Sequence, residues 1–105
     1  VYLRTRQFGH AEVCFREAIT INPEYVNAYM NLSRVLASAT RLSEAAQILN
    51  RVLDISPTNA QAKSELGALH IIAGNIPVAR DYLKEALSWD PNLQEARMNL
   101  EKIGN

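Results

Sequence analysis

Residues 24–57 read EYVNAYMNLSRVLASATRLSEAAQILNRVLDISP and hold the pattern on which the fold turns. Ala45, Leu49, Val52 and Leu53 follow one another at steps of four, three and one. Tyr29, Leu32 and Leu36 run at steps of three and four, so each series makes an apolar stripe down one side of a helix. Between the stripes lies Ser38-Ala39-Thr40-Arg41, a run of breakers. The stretch is predicted to be two antiparallel helices of roughly 12–15 residues, each about 20 Å long.

The pattern recurs along the chain. Pro23, Pro57 and Pro91 are each 34 residues after the last. Sliding the chain by that interval aligns Ala11 with Ala45 and Ala79, and Ala28 with Ala62 and Ala96. Large apolar residues align at Phe15, Leu49 and Leu83; at Ile19, Leu53 and Leu87; and at Leu32, Leu66 and Leu100. A further column, Ile21, Ile55 and Trp89, stands two residues before each proline. Small stays with small and large with large, which marks a stacked-repeat architecture. Each proline follows a polar residue (Asn22, Ser56, Asp90) and precedes a fresh helix. Gly74 is placed to end a helix in the left-handed conformation, and Pro77 to fall in the first turn of the next.

Two helices per period of 34, with small residues where helices cross, resemble the tetratricopeptide repeat (TPR). The second unit reads Tyr29, Leu32-Ser33, Leu36, Ala45, Leu49, Pro57, matching the signature in residue class throughout. The third reads Lys63, Leu66-Gly67, His70, Ala79, Leu83, Pro91, departing at Lys63 and His70. The first keeps Tyr2, Ala11, Phe15 and Pro23 and lacks the start of its first helix. The resemblance implies an all-α fold, a right-handed TPR superhelix of antiparallel helix pairs with a C-terminal capping helix. The expected division is a partial first repeat at 1–23, full repeats at 24–57 and 58–91, and a cap at 92–105, in one domain. In the cap, Ala96 and Leu100 keep register, while Glu101 takes the small-residue column and Gly104 the Leu36/His70 column. A charge in a close-packing slot stops further stacking.

At the other end, Phe8, Ala11, Phe15 and Ala18 form the stripe of the first complete helix, with only Val1, Tyr2 and Leu3 left to cover it. Leaving two Phe side chains in water forfeits about 1.5–3 kcal/mol each. That face is expected to be covered by a preceding segment or by a second copy, giving self-association through Phe8 and Phe15.

Charge and composition narrow the function. Lys+Arg and Asp+Glu number 11 each, so no net field recruits nucleic acid or an anionic membrane. No apolar run approaches the ~18 residues needed to span a bilayer. Cys14 is the only cysteine, which excludes an intramolecular disulfide. No nucleophile motif, phosphate loop, metal constellation or paired carboxylate is legible, so neither a catalytic residue, a metal nor a cofactor is assigned, and the chain is read as no enzyme. Beside neither His10 nor His70 does the sequence reading place a Cys or carboxylate at ligand spacing. Cys14 is expected to be a buried small hydrophobe, His70 and Trp89 packing residues, and Arg80, Asp81, Lys84 and Glu85 a solvating stripe.

The resemblance also implies a binding surface. In TPR solenoids the first helix of each pair lines the concave side. On this chain that lining would be Asn27, Met30, Asn31, Arg34 and Ser38, then Gln61, Ser64, Glu65, Ala68 and Ile72, then Glu95, Met98, Asn99 and Lys102. Amides pair with a peptide backbone and Met supplies adaptable apolar contact, so the implied function is a scaffold that binds a peptide or partner protein. A chaperone-tail clamp is argued against by Gln61 and Glu65, which stand where it would want positive charge. Asn31 and Asn99 are similar to the Asn series of the TPR superhelix of O-linked glycosyltransferases, which Glu65 interrupts. The alternatives are therefore a substrate-recruiting domain of a larger enzyme such as a glycosyltransferase, or a self-assembling structural element.

Overall fold

The computed structural model describes the backbone of residues 2–104 and the side chains of residues 9–104. Among the described residues six helices follow one another and there is no strand: α1 (Tyr2–Ile21), α2 (Val26–Ser38), α3 (Leu42–Ile55), α4 (Ala60–Ile72), α5 (Ile76–Trp89) and α6 (Gln94–Ile103). They fall into two compact units, Val1–Ile55 with α1–α3 and Ser56–Asn105 with α4–α6.

The three prolines do the same job in each place. A backbone turn closes around each one, with Tyr25 N–H donating to Asn22 O at 3.0 Å, Asn59 to Ser56 at 3.0 Å and Leu93 to Asp90 at 3.2 Å. Proline at the second position of such a turn presets its φ, and the polar residue before it accepts the closing bonds. Asn22 and Asp90 use their side chains too, each accepting from the N–H two residues on. The helix that follows is capped by a side chain at Asn59, whose Oδ1 accepts from Ala62 N–H at 2.9 Å.

Within each hairpin the first helix stops in the left-handed conformation. At the end of α4, Asn75 N–H reaches His70 O at 2.8 Å and Gly74 N–H reaches Ile71 O at 3.1 Å, with Gly74 at φ 84. The end of α2 repeats both bonds, from Arg41 N–H to Leu36 O and from Thr40 N–H to Ala37 O. There the left-handed residue is Thr40 at φ 60, a β-branched side chain in a conformation it disfavours. The turn is set by the packing of α2 on α3, and Thr40 conforms to it. Pro77 lies in the first turn of α5, where its missing N–H costs nothing.

In the first unit Leu32, Leu36, Leu49, Val52 and Ala45 are fully buried. In the second, Leu83, Ala86, Ala96 and Leu100 form the core of α5 and α6, flanked by Ile71, Leu87, Leu93 and Ile103. Gly67 shows why a column of small residues recurs. A Cβ there would lie 2.8 Å from Leu83 Cγ and 3.3 Å from Ala79 O, so α4 and α5 cross at a distance only glycine allows.

The first hairpin departs from expectation. The alignment places a turn near residues 4–7, after a remnant of a paired helix. Instead α1 is one continuous helix from Tyr2 to Ile21. The residue aligned with Gly74 and Thr40 is Arg6, a good helix former. Arg6 carries no preference for the left-handed conformation, and the helix runs on through it.

Candidate partner-binding surface

The expected lining residues divide between the two units. On α2, Asn27, Arg34 and Ser38 are exposed and Asn31 is half-buried. Arg34 Nη1 donates to Asn31 Oδ1 at 3.2 Å, which orients the amide along the helix face. Met30, expected on this strip, is 5% exposed. In the second unit α4 packs against α6 as well as α5. On α4, Gln61 and Ile72 are exposed, while Glu65 and Ala68 are half-buried. Ser64 is 1% exposed. On α6, Met98, Lys102 and Glu95 are exposed and Asn99 is half-buried. Met30 and Ser64 therefore present no side-chain surface to a ligand. A helix packed on two sides has a buried arc wider than its one apolar stripe, and that width is not visible in spacing alone.

The structure also shows a feature with no sequence signature. A cleft of about 570 Å³ opens between α1 and α3, with Tyr29 and Leu32 of α2 in its floor. Its rim includes Arg16, Thr20, Gln47 and Arg51. Those polar columns look like ordinary solvated faces, so only the splaying of α1 from α3 reveals them.

At one end of that cleft α1 and α3 are tied by charge. Arg41 Nη1 lies 2.6 Å from Glu12 Oε1, and Arg41 Nη2 lies 2.6 Å from Glu44 Oε2. Arg16 bonds Glu12 at 3.0 Å and approaches Glu44 at 3.9 Å. Hydrogen bonds from Arg41 hold both carboxyls below their ordinary value of 4.5, each against some opposing desolvation. Because these folded-state values are depressed, the network's contribution is fully present above about pH 4.5 and is lost as pH falls through the folded values. The groups are solvent-facing, so the effect on global stability is small. Carboxyl titration followed by NMR should show Glu12 and Glu44 ionising at lower pH than in an Arg41→Gln chain. Superimposable curves would mean the network does not form in solution.

Two more expectations need correction. Cys14 is exposed, not buried. At 100° per residue it lies off the face that carries Phe15. Its Sγ is 3.9 Å from His10 Nε2, so a Cys does stand beside His10 after all, one helical turn away. Arg80 is not simply solvated either: it is half-buried and its Nη2 approaches Ile103 O at 3.5 Å, at the end of α6. Of the N-terminal aromatic pair, Phe15 is half-buried and the side chain of Phe8 lies outside the described residues. Among the described residues no group of three or more His, Cys, Asp or Glu converges. No described helix is long and apolar enough to cross a membrane.

Residues 2–69 match a family model described as Tetratricopeptide repeat. The chain belongs to the tetratricopeptide repeat family. It is similar to an uncharacterized protein, y4yS, of Sinorhizobium fredii, 29% identical over 85% of this chain and 49% of that protein. It is likewise similar to the Hsp70-Hsp90 organizing protein of Triticum aestivum, 30% identical over 90% of this chain and 16% of that protein. Among solved structures, the first TPR of Spaghetti (RPAP3) bound to HSP90 peptide SRMEEVD superposes with TM-score 0.84 at 20% identity, covering 97% of this chain and 81% of that one. That likeness shows the all-α TPR helical-repeat fold. The chain thus spans about half or less of the curated relatives named here, 49% and 16% of their lengths.

The departures from the TPR signature now have physical accounts. Lys63 occupies a column where a large apolar residue is usual, and it behaves as one. Its Nζ lies 4.8 Å from the Tyr82 ring centre and 5.7 Å from that of Trp89, and it pairs with Glu85 at 2.8 Å. The aliphatic stem packs and the ammonium is held by ring faces and a carboxylate. His70 packs on the same ring, 5.2 Å from Tyr82. Trp89 is half-buried in the same cluster. These TPR positions are structural, as expected.

Proposed function

We propose that this chain is a protein-interaction module whose two units each bind an extended segment of a peptide or partner protein, the first through the exposed face of α2 and the second through those of α4 and α6. The observation that carries the reading is a TPR repeat whose first helices keep amides and methionine at the surface after packing is satisfied: Asn27, Asn31, Gln61, Met98 and Asn99. Amides offer both a donor and an acceptor to a peptide backbone, and Met98, 58% exposed, supplies apolar contact. Relatives named for such work support it, among them the Hsp70-Hsp90 organizing protein and the peroxisomal targeting signal receptor of Kluyveromyces lactis. The ligand differs from an acidic chaperone tail, because α4 offers neutral Gln61 and anionic Glu65 where such a peptide would need cations. Asn31 in the first unit and Asn99 in the second favour one further reading of these faces, as the substrate-recruiting part of a longer enzyme such as a glycosyltransferase.

An Arg34→Glu, Met98→Glu double variant tests the assignment by quantitative pull-down, with circular dichroism as the folding control. Capture should fall about tenfold or more. If parent and variant retain the same proteins in equal amounts, the surface is wrongly placed.

Self-association through the Phe15 face of α1 is a separate proposal, resting on one comparison. Ala11, Phe15 and Ala18 are half-buried, whereas their counterparts Ala45, Leu49, Val52 and Ala79, Leu83, Ala86 are buried. Sedimentation of the chain at several concentrations tests it. A constant monomer mass across the series refutes it.

A further inference from the structure

We propose that the cleft between α1 and α3 binds a small zwitterion, an α-amino acid with an apolar side chain, between Arg51 and Asp54. The site lies wholly within the first unit, with α1 and α3 as its walls and α2 as its floor. Its volume of about 570 Å³ is in the range of small-molecule sites. Tyr29 and Leu32 line it from α2. At 100° per residue, Asn27, Asn31 and Arg34 fall on the opposite side of that helix, so this site is separate from the partner-binding face proposed above.

The charges in the cleft decide what it accepts. Arg16 is already engaged, its Nε 3.0 Å from Glu12 and its Nη2 3.9 Å from Glu44, and with Arg41 the four charges of that clasp cancel. Arg51 and Asp54 remain. Both are exposed, and among the described residues neither has a hydrogen bond or an ion pair, not even with the other. A lone anion would satisfy Arg51 and be repelled by Asp54, and a lone cation the reverse. A ligand with one charge of each sign satisfies both. In an α-amino acid a single carbon joins the ammonium and the carboxylate. That spacing bridges two residues three apart on one helix face, whose Cβ atoms are about 5–6 Å from each other. The guanidinium fork takes the carboxylate in two parallel hydrogen bonds, and the Asp54 carboxylate accepts from the ammonium.

The rest of the lining suits the remainder of such a molecule. Ile19 and Ile48 are half-buried and, beside Tyr29, give an aliphatic side chain an apolar bed. Gln47 and Asn50 are exposed amides on the α3 wall, able to donate to the carboxylate or accept from the ammonium. Thr20 donates its hydroxyl proton to Arg16 O at 2.9 Å, so it offers a ligand lone pairs only, and these suit the ammonium.

The test is an NMR titration of the 105-residue chain with L-leucine at neutral pH. Backbone amide shifts around Thr20 and Arg51 should move and saturate, while those of α4, α5 and α6 stay in place. Leucinamide, which lacks the carboxylate, and 4-methylpentanoate, which lacks the ammonium, should each bind about tenfold or more weakly than leucine. Arg51→Gln should bind leucine and leucinamide alike, and Asp54→Asn should bind leucine and 4-methylpentanoate alike. Both substitutions are at exposed residues, and unchanged helical circular dichroism confirms the fold. Shifts that grow linearly without saturating overturn the proposal. So does either analogue binding as tightly as leucine, or a variant that keeps the parent's discrimination. It is equally overturned if a capped glutamyl-lysine dipeptide, whose charges are on its side chains, binds the cleft more tightly than leucine, which marks a site for a partner's segment.

Discussion

Replacing Gly67 with valine should destabilise the α4–α6 unit by about 3 kcal/mol. A Cβ at this position already meets Leu83 Cγ at 2.8 Å and Cδ2 at 2.9 Å, before any γ-methyl is added. Leu83 is fully buried, and a close-packed interior gives such a side chain little room to move. Backbone retreat is no easier, since Ala79 O stands 3.3 Å from the same Cβ. Separating α4 from α5 would also loosen the cluster of Leu83, Ala86, Ala96 and Leu100. Gly67→Ala should be far milder, because overpacking of about 1–3 kcal/mol is partly offset by a helix-propensity gain of about 1 kcal/mol. Thermal melts and amide exchange in α4 and α5 provide the measurement. A valine variant within about 0.5 kcal/mol of the parent would show that the close crossing does not exist in solution.

Truncation of Leu32 to alanine should cost the α1–α3 unit about 3 kcal/mol. Leu32 is fully buried, yet it also forms part of the floor of the α1–α3 cleft. The volume it vacates joins that cleft, whose rim is polar, so water can enter the gap. Leu83→Ala, in the core of α5 and α6, leaves a closed apolar void and should cost about 1 kcal/mol more. Denaturant melts of the two variants rank them directly. A Leu32 variant as costly as the Leu83 variant would mean the cleft is closed in solution.

Much of this architecture was legible before any coordinates. The turn prolines, the alanines at 11, 45 and 79 and the leucines at 32, 66 and 100 recur in register because each hairpin must present the same shape to its neighbour. Gly74 was readable as a helix stop because only glycine takes a positive φ without strain. Thr40, which does the same work, was readable only as part of a run of breakers. The candidate surface was half legible. Asn27, Asn31, Gln61 and Asn99 keep accessible side chains, but Met30 and Ser64 do not.

What the amino-acid sequence by itself determined is the repeat, the helix pairing and the small-residue crossings, because these depend on spacing within one chain and on like packing with like. Only the tertiary structure decided which arc of each helix is buried, how Lys63 is sheltered by Tyr82, Trp89 and Glu85, and that Cys14 faces water beside His10. Those outcomes depend on the rotation of each helix against its neighbours. A change of one residue in register turns a side chain by 100°, which is enough to carry it from core to solvent.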